Sequence, residues 1–440
     1  MLDTGLKKTK KKSKKLSAVQ QDRQGFGFLL SKGIHLKIAL QFPITPYPLN
    51  IATPTGELRQ APKHLFRNEL FESAKASQDA PPLKARWIVD NMALVRAMKP
   101  KKTIAEWMKG FLKFARPSDK YDPLTMELVN DRYEKESAKW GAREGRGEES
   151  RRVHIGGFET NMLQGNEWAE FFHNIENKED LIAVMAKYIM FHESEETTLP
   201  IIFTEKEETW MASEDGLTNI GRCNHEEADS RMIYHALRSN TNVVVVSKDT
   251  DVLILMIYAY ALYSIEEEWV MKIGPSKYVN IAKIVKHISH QVSIMLPYVH
   301  ALTGCDTTSY LYGVGKIRVF NKILKKPSVL SDLETLGQGS GLPVEYSKIE
   351  RFVKTVCFAG KENETLVETR ERLYNKQKVK SSQSLPPDPD SLKQAILRAN
   401  HQMYYWSRLN IPIVRTIPLS DNGWMLNEDG GVVPVWFTGM

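Results

Sequence analysis

Four consecutive valines, Val243 to Val246, run straight into Ser247-Lys248-Asp249-Thr250-Asp251, and an apolar helical pattern follows over residues 252–263. A fully apolar, β-branched strand that feeds a helix through two aspartates constrains the fold strongly. Short apolar strands alternate with helical patterns from about Arg86 onward, which predicts an α/β fold with a central parallel sheet flanked by helices. The other strand candidates are residues 86–89, 126–129 and 201–203. Helical patterns cover residues 63–76, 104–114, 133–146, 179–191, 226–238, 281–290, 316–323 and 392–406.

The chain has 440 residues, enough for one large domain with appendages. Its organisation divides into a basic tail expected to be disordered (1–24), an N-terminal extension (25–83) and an α/β domain (84–375). A Ser/Pro-rich linker (376–390) and a C-terminal helix with an aromatic-rich segment (391–440) complete it. Net charge is +7, yet the first fifteen residues carry seven lysines and one aspartate. The remaining body is therefore nearly neutral. The Lys7–Lys15 run fits a solvated tail, a nuclear import signal or a nonspecific nucleic-acid tether.

Three scattered cysteines, Cys223, Cys305 and Cys357, cannot form a disulfide framework. The longest apolar run, residues 252–265, is shorter than the roughly 20 residues of a membrane span. The expected location is nuclear or cytoplasmic, with no secretion and no membrane partner.

In an open α/β sheet, ligands bind outside the carboxyl ends of the strands. Acids gather at such positions. Asp90 closes the strand at 86–89, Asp131 follows the strand at 126–129, and Asp249 and Asp251 follow the valine strand. Glu227 and Asp229 open a helix, and Asp306 ends another apolar segment. Each acid also has a local reading, as a helix N-cap or as a partner of the helix dipole. Together they pose an electrostatic problem. Two carboxylates about 4 Å apart repel by roughly 4 kcal/mol at an effective dielectric near 20. Seven of them on one sheet edge need protons or cations, and hard divalent ions with oxygen ligands are the natural answer.

This spacing resembles the flap-endonuclease/XPG-type nucleases of the PIN-like superfamily. The matching motifs are Glu227-Ala228-Asp229, then Asp249-Thr250-Asp251 after the valine strand, then Gly304-Cys305-Asp306 and Gly313-Val314-Gly315-Lys316. The segments HEEADSR, SKDTDVLIL and HALTGCDTTSYLYGVGK also look like a large group of nuclease-like proteins. The sequence departs from the family at three points. Asp229 replaces a Glu, Asn91-Met92 follows Asp90 where a Gly is usual, and Thr307 replaces a Tyr.

The resemblance implies a PIN/FEN-like fold with a helix–two-turn–helix element and a two-metal centre of Mg²⁺ or Mn²⁺. Asp90, Asp131, Glu227, Asp229, Asp249, Asp251 and Asp306 would hold the ions. The implied activity is hydrolysis of phosphodiester bonds in DNA or RNA with branched or partly single-stranded features. A nuclease-fold scaffold of mobile-element descent that binds nucleic acid without cleaving it is the alternative.

Two stretches are expected to touch phosphates. Gly313, Gly315 and Lys316 would form a turn that approaches the backbone closely. Lys135, Lys139, Arg143 and Arg146 would make a basic stripe on one helix face, or a solvated face with interleaved glutamates. Other chemistries find no support. His225-Glu-Glu-Ala-Asp229 is not a zincin motif, Cys223 and His225 lack a second ligand pair, and no phosphate-binding Gly-rich loop of the Walker or dinucleotide type occurs. His300 reads as a packed, satisfied histidine, and Cys305 as a buried thiol beside Asp306.

Overall fold

The computed structural model describes residues 16–134, 137–139, 151–192, 199–378, 380–428 and 430–438. Nine strands form one sheet. They are β1 (Ser77–Gln78), β2 (Ala85–Asp90), β3 (Thr125–Val129), β4 (Ile201–Glu205), β5 (Glu208–Ser213), β6 (Gly216–Arg222), β7 (Asn242–Val246), β8 (Trp269–Gly274) and β9 (Lys277–Asn280). Their order is β1-β9-β8-β7-β2-β3-β4-β5-β6. The five central strands, β8-β7-β2-β3-β4, pair in parallel, and both flanks continue antiparallel.

The chain runs outward from β2 through β3 to β4 and then returns to place β7 on the other side of β2. Strand order therefore reverses at the β2/β7 junction. In a doubly wound sheet such a reversal opens a crevice at the strands' carboxyl ends, because successive connections leave on opposite faces.

Both faces are covered, which explains the unbroken apolar runs. Ile88, Val243, Val245, Trp269 and Met271 face one core. Val89, Met126, Leu128, Ile201 and Phe203 face the other. The helices that matter for the crevice are α1 (Lys63–Ser73), α2 (Asn91–Ala97), α3 (Ala228–Ala236), α4 (Thr250–Leu262), α5 (His290–Leu302), α6 (Lys316–Lys325) and α7 (Pro389–Trp406). Helix α4 is apolar on every side and is buried from Thr250 to Ala259, as expected of a helix enclosed by others rather than lying on a surface. It packs against α3 and α5. No described helix is long and apolar enough to cross a membrane.

Several expectations change. The helical pattern of 281–290 breaks at Ser289, whose φ of 78° ends one helix, and its side chain caps the next, α5. The expected disordered tail of 1–24 overlaps a helix over Ala18–Ser31, in which Asp22 is buried. The 376–390 linker is packed rather than loose: Leu385 is buried against Phe26 and Tyr374. The two flanks are likewise part of the body. Ile51, Phe66, Leu70 and Phe71 from the N-terminal side join the main core, as do Leu392, Ile396, Met403 and Trp406 of α7. The helical pattern of 133–146 lies mostly outside the described residues.

Candidate metal centre

Register fixes the rim of the crevice. Asp90 pairs with Val129 across β2/β3, and Val89 pairs with Val246 across β2/β7. Asp90, the residues after Val129 and the residues after Val246 thus emerge at one level. Asp90 caps α2, its Oδ1 accepting from the Ala93 N–H at 3.0 Å. Asp249 caps α4, accepting from the Asp251 N–H at 2.8 Å. Asp131 accepts from the Ala228 N–H at 2.8 Å, which draws the start of α3 onto the end of β3. The capping reading and the clustering reading therefore hold at once for these residues. A cap fixes the backbone and leaves a carboxylate oxygen at the helix's positive end.

The structure brings all seven acids to this rim. One ligand oxygen each from Asp229, Asp249 and Asp251 lies within 4.8 Å of the others, a grouping able to hold a metal ion. Glu227 is the N-cap residue of α3, two positions before Asp229, and its Oε2 accepts from Gln402 Nε2 at 3.2 Å and Trp406 Nε1 at 3.3 Å. Asp306 reaches in from the loop between α5 and α6. Gly304 lets that loop turn: its φ is 110°, and a Cβ there would stand 2.8 Å from the Tyr310 backbone.

Two lysines enter the cluster. Lys63 Nζ, from the first residue of α1, donates to both oxygens of Asp251 at 2.9 Å and to Asp306 Oδ1 at 2.6 Å. Lys139 Nζ lies 3.1 Å from Asp306 Oδ2 and 3.0 Å from Glu227 Oε1. His300 Nε2 stands 2.9 Å from Asp251 Oδ1. A carboxylate only accepts, so His300 donates through Nε2–H.

Proton affinities follow this placement. Burial raises Asp90 to about 6, helped by the charges of Asp131 and Asp249. Burial and the charge of Asp249 raise Asp229 well above the usual carboxylate range. Burial and Asp251 raise Asp249 as well. Asp251 goes the other way. Burial opposes its ionisation, but Lys63 and His300 hold it at about 2. Burial, with the charge of Lys316 nearby, takes His300 down to about 4, so its ring is neutral at pH 7. The Asp229, Asp249 and Asp90 side is electrostatically unsatisfied, whereas Asp251 is satisfied.

The expected phosphate contacts fare unevenly. Lys316 is a correction. It is buried, 8% exposed, and its Nζ donates to the His300 carbonyl at 3.0 Å and to Thr303 Oγ1 at 2.9 Å. Its ammonium ties α6 to the end of α5 and cannot meet a phosphate at the surface. Gly313 has φ 74°, and a Cβ at Gly313 or Gly315 would meet nothing within 4 Å, so that turn is open. Lys139 points into the acids. Lys135, Arg143 and Arg146 lie outside the described residues.

The residues that sequence reasoning missed come mostly from the flanks. Lys63 lies before the α/β core, and Gln402 and Trp406 lie after it. Gln402 is also the acceptor of the Thr307 hydroxyl, so Thr307 braces Glu227 through Gln402. No local motif could have announced these contacts. A cavity of about 270 Å³ opens beside the acids, bordered by Lys139, Glu227, His225, Gln402 and Tyr405. Compared with known proteins, the chain matches no family model and no curated protein.

Proposed function

We propose that this protein is a metal-dependent phosphodiesterase acting on DNA or RNA, a nuclease similar in plan to the flap-endonuclease type. One observation carries the reading: seven carboxylates from five separate segments meet at the carboxyl ends of β2, β3 and β7, where the strand order reverses. Clustered acids repel, and the helix-start contacts of Asp90, Asp131 and Asp249 account for only three of the seven. A site that binds hard cations does require them.

Mg²⁺ or Mn²⁺ fits this all-oxygen donor set, with Asp229, Asp249 and Asp251 as ligands and Asp90 and Asp131 completing the shell. When bound, such an ion lowers the pKa of a coordinated water and offsets charge on the phosphoryl oxygens. The chain's own groups supply the rest. Neutral His300 fixes the orientation of Asp251. Gln402 and Trp406 fix Glu227. The amides around Gly313 and Gly315 offer donors to a phosphate of the substrate backbone.

The test is cleavage of flap, bubble and hairpin substrates by purified protein with Mg²⁺ or Mn²⁺. Metal-dependent cleavage that is lost in Asp249→Asn supports the reading. Tight substrate binding without cleavage, under either metal, would instead identify the non-cleaving scaffold. The two ammonium groups already among the acids are the observation that keeps this second reading in view.

A further inference from the structure

We infer that the centre holds one divalent cation beside one permanent ammonium group, with Lys63 taking the place of a second ion. This inference rests on the nuclease reading above and refines its metal count, since the family resemblance implies two ions.

The geometry divides the cluster. Lys63 Nζ is ringed by three carboxylates: Asp251 at 2.9 Å through both oxygens, Asp306 at 2.6 Å and Asp249 at 3.9 Å. That is the position a cation shared by Asp251, Asp306 and Asp249 would occupy. Asp306 has one oxygen on Lys63 and the other beside Lys139. Asp229 differs: among the described residues no ammonium or guanidinium lies within 4.0 Å of it. Positive charge is therefore concentrated on the Asp251 and Asp306 half of the cluster, while Asp249 meets Lys63 only at 3.9 Å and Asp229 feels Lys139 only at longer range.

Lys63 is held, not merely near. Its side chain is 16% exposed. Helix α1 is anchored by Phe66, Leu70 and Phe71 in the main core. Phe66 packs edge-on against Phe320 of α6, with centroids 5.3 Å apart, and stacks 6.4 Å from His300. The ammonium is thus delivered by a fixed backbone at high effective concentration, and a second ion must displace it. Displacement is costly in another way. His300 and Lys63 already use the same Asp251 oxygen, and Lys63 alone uses the other. A second dication would have to compete for Asp251 with Lys63 and His300 as well as with the first ion. The lysine also brings a single charge where an ion would bring two, which leaves the first ion less repelled.

The experiment counts ions. Equilibrium dialysis and calorimetry with Mn²⁺ are run on the full chain, wild type and Lys63→Met, the latter keeping much of the apolar stem. Wild type is expected to bind a single Mn²⁺ per chain, and Lys63→Met to gain a second. Melting without metal should drop in the variant, and added Mn²⁺ should raise its melting temperature more than it raises that of wild type. Two Mn²⁺ per wild-type chain, with the count unchanged in Lys63→Met, overturns the inference and leaves the nuclease reading standing. Absence of Mn²⁺ binding in both proteins overturns the two together. Should Lys63→Met fail to fold, the wild-type count alone still decides.

Discussion

Asp229 and Asp251 stand within a few ångströms of one another and should respond oppositely to the same change. Burial and the neighbouring charge of Asp249 both oppose ionisation of Asp229. Asp229→Asn removes that repulsion and should raise the melting temperature of the metal-free protein, while Mn²⁺ affinity falls at least tenfold. Asp251 holds Lys63 and His300. Asp251→Asn leaves a largely buried ammonium short of its partner and should lower the metal-free melting temperature, with a stability loss of the roughly 3–5 kcal/mol typical of a broken buried pair. Calorimetry on both variants with and without Mn²⁺ checks this; equal shifts of one sign would refute it. A pH effect accompanies it. Asp90 binds its proton more tightly folded, near 6, than unfolded, near the usual carboxylate value. Its contribution to stability is full below the unfolded value and is lost as pH rises through about 6. Metal-free protein should therefore lose melting temperature between about pH 4 and pH 7, and saturating Mn²⁺ should flatten that slope. The carboxylates were legible in the sequence because each follows a strand or opens a helix at fixed spacing. Lys63, Gln402 and Trp406 were not, because their approach depends on how the two flanks fold over the sheet, which leaves no periodic trace. Lys316 was misread for a related reason: a lysine after a Gly-Val-Gly turn looks exposed until α5 and α6 are seen to close on it.

At the level of elements, the loop from α5 to α6 couples backbone shape to the centre. Gly304 needs φ 110° and has no room for a Cβ. Gly304→Ala should cost roughly 1–3 kcal/mol of stability and, by moving Asp306 two residues on, weaken Mn²⁺ binding as well. Gly315 behaves differently. Its φ of −68° suits any residue, and the space beside it is open. Gly315→Val should change stability by no more than about 1 kcal/mol, the cost of a poor N-cap, while weakening duplex binding if backbone amides of the turn meet a phosphate. A melting curve and a binding isotherm on one preparation separate the two effects; unchanged affinity would remove the turn from the interface. Four of the five parallel strands, β2, β3, β4 and β7, were readable because burial on both faces demands continuous apolar residues. The edge hairpin β5–β6 was not: its strands are largely part-exposed, with Gly216-Leu217-Thr218-Asn219 showing no alternation. Strands β8 and β9 were missed because Trp269–Gly274 follows three glutamates, which look like a loop, and Lys277–Asn280 is too short to set a period.

Across the whole molecule, the flanks decide whether the centre exists. Deleting residues 1–16 removes seven lysines that precede the first helix, and should leave folding and cleavage intact while reducing the salt dependence of nucleic-acid binding. Removing the other end is a different matter. The N-terminal flank is clasped to the segment before α7: the buried Asp22 carboxylate accepts from the Ser382 N–H and hydroxyl, both at 2.7 Å, and Arg370 donates to the Leu40 and Pro386 carbonyls. Past that clasp, α7 sends Leu392, Ile396, Met403 and Trp406 into the main core. Each large apolar side chain buried is worth about 1.5–3 kcal/mol, so these four together rival the 5–15 kcal/mol by which a typical domain is stable. The same helix carries Gln402 and Trp406 to Glu227. A chain cut after Lys376 should therefore not yield a freestanding α/β domain. Its near-ultraviolet circular dichroism should be flat, its melting non-cooperative, and its Mn²⁺ binding lost even where helical signal remains. A fragment that melts cooperatively and still binds Mn²⁺ would show that α7 is an appendage, and that Glu227 does not need Gln402 or Trp406 to hold its place.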